Sequence, residues 1–297
     1  MLYQIIHRTT YEYSVDVPVS HHVARLSPRK LPFQDCLEHR IDFEPHAAIT
    51  THHDDYFGNR TTFFSVTRPH KTLTVTARSK VRINRPGSGE AESIPWELVK
   101  SGFVSEDKVP LPVEVSEFAF SSRFVACHNE LADYARPSFT EGRPILEAAL
   151  DFTRRIFTDF KFDPKATTVA TPLEQVMKNR RGVCQDFAHV QIGCLRSLGI
   201  PARYVSGYLE TVPPPGKAKL VGSDASHAWV QVFIPPIGWM DFDPTNNVIP
   251  GERHITVAWG RDFDDVSPIR GVIVGGGKHQ LSVAVDVTPL DENKISG

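Results

Sequence analysis

Apolar and polar side chains alternate along most of the first third of the chain. The alternation is clear over residues 2–15 and recurs in three later segments, 37–43, 61–67 and 71–83. A period of two residues places the apolar side chains on one face of a β-strand. Clusters of turn residues separate these segments, and short strands joined by turns are typical of an antiparallel sandwich or barrel.

A polar segment that is rich in Gly and Pro, residues 84–95, follows the last of these predicted strands. This composition is typical of a linker between folded units. We therefore predict two domains: an antiparallel β-sandwich-like domain over residues 1–85 and a second domain over residues 86–297.

The apolar period becomes helical in the middle of the chain. Residues 140–160 carry an apolar stripe at helical spacing, with Pro144 near the first turn. Farther on, Thr171, Pro172 and Glu174 have the spacing of a capping box, which predicts Thr171 as the N-cap of a short helix. Two helices are thus expected between residues 140 and 180.

A third helix is predicted to begin at Cys184. Gly182 breaks the backbone just before it, and apolar residues then recur at helical spacing up to Leu198. Gly199 and Pro201 end the helix. This places Cys184 in the first helical turn.

Alternation returns after the helix and predicts three strands, at residues 202–209, 224–234 and 239–243. A short turn joins the last two, which favours a hairpin. In a hairpin the start of the first strand lies beside the end of the second. His227 is therefore expected to meet Asp243 or Asp241, two carboxylates that share a face of their strand.

The position of Cys184 favours an activated thiol. Unpaired N–H groups and the helix dipole stabilise negative charge at a helix N-terminus, and Arg180 and Arg181 add positive charge nearby. Both effects lower the pKa of a thiol and make it a better nucleophile. The alternative is that Cys184 is one more small packing residue.

Cys184, His227 and one of the two Asp residues complete a nucleophile, a base and an orienting group. A thiolate that attacks an amide carbonyl needs all three roles, and the helix N-terminus offers a backbone N–H to the oxyanion. The strand pattern alone leaves Asp241 and Asp243 open as the orienting carboxylate.

Composition and charge exclude some classes of binding partner. The net charge is −2, without a basic excess that would indicate nucleic acid, and no apolar run is long enough to span a membrane. The four Cys residues are scattered and form no CxxC pair, and the first residues lack a signal peptide's apolar core. We predict no nucleic-acid or membrane partner and a reducing, cytoplasmic location.

Two further motifs are only weak indications of a metal site or a phosphate-binding loop. The pairs His21–His22 and His52–His53 lie on predicted strands, where adjacent side chains point to opposite faces, so we predict no metal site there. The GGGK segment at residues 275–278 lacks the earlier Gly and the following Ser or Thr of a phosphate loop. We interpret it as a turn before a closing strand at residues 280–287.

Three motifs taken together resemble those of the transglutaminase-like superfamily. They are RRGVCQDFAH, SHAWVQVF and GWMDFDPTN, in that order. The chain is more narrowly similar to bacterial transglutaminase-like proteins that have an N-terminal β domain, since the segments HHVARLSPR, DYFGNR, TVTARS, HITVAWGRDF and SPIRGVI also fit.

The resemblance implies a papain-like α+β core with Cys184 as nucleophile, His227 as base and acid, and Asp243, in a D-x-T setting, as the orienting carboxylate. Animal transglutaminases use an upstream Trp as a second oxyanion donor. Phe160 and Phe162 stand upstream here and cannot donate a hydrogen bond. No acidic cluster demands the calcium of those enzymes, and we predict no cofactor and no metal.

Four further residues are weaker candidates for the oxyanion site or the pocket: Gln185, Asp224, Ser226 and Trp229. The leading hypothesis is a cysteine-dependent enzyme that acts on amide bonds of a protein or peptide through an acyl-thioester. Water as acceptor makes it a peptidase or amidase, and an amine makes it a transglutaminase. The alternative is a non-catalytic binding module that keeps the fold.

Overall fold

The computed structural model describes residues 1–85, 92–211 and 225–291. The first part of the chain forms six strands: β1 Leu2–Val17, β2 Val19–Ala24, β3 Gln34–Glu44, β4 Ile49–Asp54, β5 Arg60–Val66 and β6 His70–Ile83. The middle contains five helices and two short strands: α1 Trp96–Lys100, α2 Val113–Ser116, α3 Asn129–Ala135, α4 Ile145–Asp159, β7 Lys161–Phe162, α5 Leu173–Asn179 and β8 Arg181–Gly182. The remaining elements are α6 Cys184–Ser197, β9 Ala202–Leu209, β10 Ala225–Ile234, β11 Gly238–Phe242, β12 His254–Gly260, α7 Phe263–Val266, β13 Ile269–Val274 and β14 His279–Leu290.

Two four-stranded antiparallel sheets form the N-terminal β region. Their strand orders are β14-β1-β6-β3 and β13-β2-β5-β4. A cluster of buried apolar side chains fills the space between them, with the rings of Phe43 and Phe64 stacked at a centroid distance of 4.2 Å. The inward sides of β1, β2, β5 and β6 supply most of this core, as a period of two predicts.

The last two strands of the chain return to these sheets. β14 pairs with β1, with Ile5 opposite Val287, and β13 pairs with β2, with Val23 opposite Arg270. The sequence-based boundary grouped both strands with the second domain, whereas their backbone hydrogen bonds are to the N-terminal sheets. Strand pairing over such a separation depends on tertiary contacts that local periodicity does not encode.

A third antiparallel sheet carries the helices of the α+β core. Its strand order is β11-β10-β9-β12, and α6 packs across β9 and β10. The predicted strand at residues 202–209 coincides with β9, and α6 begins at Cys184 as the sequence indicates. The predicted α+β class, with an N-terminal antiparallel β region, is confirmed.

One helix start differs from the sequence-based prediction. Pro172, with φ −61° and ψ 146°, is the N-cap of α5, and no side chain caps this helix. The hydroxyl of Thr171 instead accepts the backbone N–H of Thr168 at 2.9 Å. The predicted capping box at Thr171 is therefore wrong, because a local turn uses that hydroxyl.

The main hydrophobic core joins the two regions. It includes Phe152 of α4, Val190 of α6 and Val230 of β10 together with Tyr3 of β1 and Val285 of β14. The β region therefore packs directly against the α+β core. A shared core of this kind fixes the relative position of the two regions.

Two side-chain amides from the β region cover β12, an edge strand of the core sheet. Gln34 donates to the Thr256 carbonyl at 2.7 Å and accepts its N–H at 2.8 Å. Asn59 does the same with Trp259, at 2.9 and 3.0 Å. Each amide replaces part of a neighbouring strand, which satisfies backbone groups that an open edge would leave unpaired.

In the described part of the chain, no helix combines the length and the apolar character that crossing a bilayer requires.

Candidate functional site

The turn before α6 sets the position of Cys184. β8 pairs in parallel with β7, placing Phe162 opposite Gly182, and Val183 is the N-cap of the helix. The Asp186 carboxylate accepts the Val183 N–H at 2.7 Å and the Thr167 hydroxyl at 2.6 Å. This is one half of a capping box, since Val183 has no acceptor for the reciprocal bond.

Asp186 is buried, with 3% of its surface exposed. Burial raises the pKa of this carboxyl, while the hydrogen bonds from Thr167 and Val183 oppose the rise. A Cβ at Gly182 would meet the Asp186 side chain. The glycine is therefore required for the carboxylate to reach back over the turn, and Asp186 fixes the backbone at the start of α6.

His227 and Asp243 meet as the hairpin predicts. The ladder between β10 and β11 ends at the pair Val230–Phe242, and beyond it the His227 Nε2–H donates to Asp243 Oδ2 at 2.8 Å. Asp243 is fully buried and His227 nearly so. The contact is thus made by side chains beyond the last paired residues of the strands.

The Cys184 thiol lies close enough to His227 to help raise the pKa of the imidazole. Since Nε2 is used by Asp243, Nδ1 is the ring nitrogen left for the thiol. Cys184 is partly buried against the main core. The three predicted residues therefore come together, with the imidazole between the thiol and the carboxylate.

The two ionisable partners have opposite pKa shifts. Burial lowers the pKa of His227, but the hydrogen bonds to Asp243 and Cys184 outweigh it and raise the pKa to about 10. Burial also raises the pKa of Asp243, but the hydrogen bonds from His227 and His254 hold it well below its usual range. An imidazolium–carboxylate pair is the favoured state at neutral pH.

Asp241, the competing carboxylate, has other partners. Its Oδ1 accepts the indole N–H of Trp229 at 2.7 Å, and its Oδ2 accepts the Arg85 guanidinium at 2.7 Å. Both oxygens are thus engaged away from His227. The structure separates the two carboxylates that the strand pattern left equivalent.

The weaker pocket candidates fall in different places. Trp229 is fully buried, so it packs beneath the site and does not line a cleft. Gln185 is half-buried beside the nucleophile, and Ser226 is exposed next to His227. Asp224 lies outside the described residues.

Two other residues of α6 belong to the core. The Nε2 of His189 accepts the Phe263 N–H at 3.2 Å, and burial lowers the pKa of His189 to about 4. Burial raises the pKa of the Cys194 thiol. A neutral imidazole and a protonated thiol are inert packing groups here.

His254 is a site residue that the sequence reasoning missed. It is the first residue of β12, is buried, and its Nε2–H donates to Asp243 Oδ2 at 3.2 Å. A lone histidine at a strand start gives no sequence signal for this contact. Its place in the quoted segment HITVAWGRDF was the available clue.

The ligand atoms of His227, Asp243 and His254 lie within 4.8 Å of one another. Two imidazoles and a carboxylate are a donor set that zinc accepts. In the structure both histidines direct Nε2 at the same carboxylate oxygen. Hydrogen bonding accounts for this arrangement, and we assign no metal to it.

The fold and the site define a class of proteins in which a cysteine on a helix faces a histidine–aspartate pair on an antiparallel sheet. Residues 132–244 match the family described as the transglutaminase-like superfamily, and residues 3–82 match the bacterial transglutaminase-like N-terminal region. The chain belongs to the transglutaminase-like superfamily, which confirms the resemblance carried by the three motifs.

Similar proteins align with different shares of this chain. An uncharacterised protein of Mycobacterium tuberculosis is 39% identical over 303 residues, covering 99% of this chain and 94% of the relative. A protein-glutamine gamma-glutamyltransferase of Pseudomonas aeruginosa is 34% identical over 122 residues, which is 40% of this chain and 18% of that protein. A solved structure from Cytophaga hutchinsonii, of a protein proposed to be a cysteine protease, superposes with a TM-score of 0.76 at 21% identity, covering 98% of this chain and 91% of the other. At that identity the likeness shows the shared fold.

Proposed function

We propose that this protein is a cysteine-dependent enzyme that acts on amide bonds of a protein or peptide through an acyl-thioester intermediate. Cys184 is the nucleophile, His227 the acid and base, and Asp243 the orienting carboxylate. The observation that carries the proposal is the position of His227, which is hydrogen-bonded to the buried Asp243 at 2.8 Å and lies close enough to Cys184 for the thiol to help raise its pKa.

In the first step the Cys184 thiolate attacks the amide carbonyl carbon, and the carbonyl electrons move to oxygen. The backbone N–H groups at the start of α6 face this developing charge. The tetrahedral intermediate collapses as the C–N bond breaks, and the His227 imidazolium gives its proton to the leaving amine. The products are an acyl-thioester and neutral His227.

In the second step an acceptor attacks the thioester. His227 takes a proton from water or from a primary amine, the C–S bond breaks, and the thiolate and imidazolium are restored. Water releases a carboxylic acid and an amine forms a new amide. Asp243 keeps the imidazole oriented in both steps.

Both acceptors belong to the proposal. The Pseudomonas aeruginosa relative is named a protein-glutamine gamma-glutamyltransferase, which supports an amide acyl donor in a protein. We favour hydrolysis slightly, because no acidic cluster in the sequence indicates the calcium dependence of animal transglutaminases. A reducing location such as the cytoplasm would suit the thiol and is part of the proposal.

The alternative is a binding module without catalysis. It does not explain why the Cys184 thiol, the His227 imidazole and the Asp243 carboxylate lie together. A scaffold has no need for an imidazole placed between a thiol and a buried carboxylate. The two hypotheses differ in whether the thiol is activated.

Alkylation by iodoacetamide as a function of pH, followed at each cysteine by peptide mass spectrometry, tests the proposal. We expect Cys184 to react well below pH 7 and far faster than Cys36 and Cys127, because the imidazolium stabilises its thiolate. Equal rates at the three partly buried cysteines would contradict an activated thiol.

The acceptor needs a second experiment. A peptide library containing glutamine is incubated with the protein, and the acyl adduct on Cys184 is sought by mass spectrometry, with Cys184→Ala as control. Added primary amine then shows whether the adduct passes to amine or to water. Absence of any adduct with an activated thiol would restrict the proposal to substrates outside the library.

A further inference from the structure

One oxygen of Asp243 receives three side-chain donors. Besides His227 at 2.8 Å, Oδ2 accepts Asn246 Nδ2 at 2.7 Å and His254 Nε2 at 3.2 Å. The other oxygen accepts the backbone N–H groups of Thr245 and Asn246 at 2.9 and 3.2 Å. The carboxylate is therefore fixed from its own turn, from β10 and from β12.

His254 differs from the other side-chain donors in its setting. His227 carries the proton of the proposed reaction and Asn246 is exposed, whereas His254 is buried and contacts Asp243 from a separate strand. The Nδ1 of His254 is buried without a hydrogen-bond partner among the described residues. Its bond to Asp243 is the side-chain hydrogen bond that distinguishes histidine here from an apolar ring.

His254 is also a neutral donor. Burial lowers its pKa, and the positive charges of His227 and Arg85 add to this effect against the opposing influence of Asp243. A second imidazolium would compete with His227 for the single negative charge of Asp243. A neutral N–H orients the carboxylate and leaves its charge to His227.

Packing holds the His254 ring in place. The indole of Trp229 meets it edge to face, with centroids 5.4 Å apart. Trp229 is itself fixed by its hydrogen bond to Asp241, which in turn binds Arg85. The indole lies against Gly207, where any Cβ would meet the Trp229 ring. A supported ring keeps its hydrogen-bond direction, which a mobile side chain would not.

We propose that His254 is a positioning residue of the site, which holds the Asp243 carboxylate in the orientation that pairs it with His227. The inference rests on the proposed function, because it concerns the reactivity of Cys184 through His227. His254 itself touches neither the thiol nor, in the proposed reaction, the substrate.

The test uses the full-length protein and the pH profile of Cys184 alkylation by iodoacetamide. His254→Phe keeps a ring and removes the donor. His254→Gln places an amide N–H where Nε2 lies, and His254→Asn is too short to reach Asp243. His189→Phe is the matched control, because His189 is a buried neutral histidine whose contacts with Phe263, Phe124 and Tyr204 lie outside the triad.

For His254→Phe we expect alkylation of Cys184 at pH 6 to fall about tenfold and the midpoint of the profile to rise by about one unit, the scale of a lost hydrogen bond to a charged group. His254→Gln should stay within about threefold of the wild type, and His254→Asn should follow His254→Phe. His189→Phe should lower the melting temperature without moving the midpoint.

Two results would overturn the inference. One is a wild-type profile for His254→Phe, and the other is an equal shift for His254→Phe and His189→Phe, which would mean general loosening of the fold. If His254→Phe does not fold, the comparison of His254→Gln with His254→Asn decides in the same way. Failure of the proposed function looks different, since wild-type Cys184 would then react no faster than Cys36.

Discussion

The site contains two buried carboxylates, one beside the nucleophile and one beside the base. Asp186 and Asp243 are 3% and 0% exposed, respectively, and each accepts several hydrogen bonds. Their pKa values nevertheless move in opposite directions, upward for Asp186 and well downward for Asp243. Two carboxylates with similarly small exposed fractions can therefore differ in acidity.

The donors explain the difference. Asp186 accepts from the Thr167 hydroxyl and the Val183 N–H, both neutral, so the cost of burying a charge is only partly offset. Asp243 faces the His227 imidazolium and accepts further N–H donors on both oxygens. Asp186 thus stabilises the backbone turn before α6, whereas Asp243 forms an ion pair with His227.

The largest expected effect comes from removing the charge of Asp243. Asp243→Asn should reduce formation of the Cys184 acyl adduct by about 10³- to 10⁴-fold, as the loss of an orienting carboxylate does in other triads. Asp241→Asn is the matched control and should stay within about tenfold, since Asp241 binds Trp229 and Arg85. The rate at which a substrate peptide forms the acyl adduct on Cys184, followed by mass spectrometry, measures the effect of each variant. Similar losses in the two variants would remove the distinction between the carboxylates.

The ion pair also predicts how stability depends on pH. The pKa of His227 in the folded state, about 10, lies above its ordinary value of 6.5. Its contribution to the free energy of unfolding is therefore complete below pH 6.5 and is lost as the pH rises to about 10. Each pKa unit corresponds to about 1.4 kcal/mol, so the effect is several kcal/mol.

Denaturant unfolding of the wild type and of His227→Gln, compared between pH 6 and pH 10.5, measures this contribution. The difference between the two proteins cancels titrating groups that do not interact with His227, and it should shrink with rising pH. A difference that stays constant over this range would show that His227 is not charged in the folded protein.

A smaller effect is expected at the other carboxylate. Asp186→Ala should lower the free energy of unfolding by about 1–3 kcal/mol, because the Val183 N–H and the Thr167 hydroxyl lose their acceptor. Asp186→Asn keeps an acceptor and should cost less. Since the folded-state pKa of Asp186 is raised, its ionisation opposes folding, and the wild type should gain stability relative to Asp186→Asn as the pH falls. Urea unfolding of the three proteins between pH 3.5 and pH 7 measures the cost of each substitution and its pH dependence. If the wild type lost stability relative to Asp186→Asn in acid, the raised pKa of Asp186 would be contradicted.

The smallest effect is expected for Gln185. It is half-buried next to the nucleophile, but the backbone N–H at the start of α6 remains in any variant. Gln185→Ala should reduce adduct formation by less than about tenfold. A loss of a hundredfold or more would instead make this side chain a principal oxyanion donor.

Much of the site followed from local patterns. The helix start at Cys184, the strand at residues 202–209 and the hairpin carrying His227 were readable because apolar spacing and turn residues act over a few positions. The three motifs in order also indicated the family. By contrast, Thr171 was misread as a cap, since its hydroxyl is used within a neighbouring turn.

The sequence by itself determined which residue types stand at the helix start and along the hairpin, because these depend on short-range periodicity. Only the tertiary structure separated Asp243 from Asp241, brought His254 to the same carboxylate, and returned β13 and β14 to the N-terminal sheets. The physical reason is that these outcomes depend on which distant donors and strands pack together. A buried carboxylate acquires its role from the groups that face it, and those groups come from separate strands of the fold.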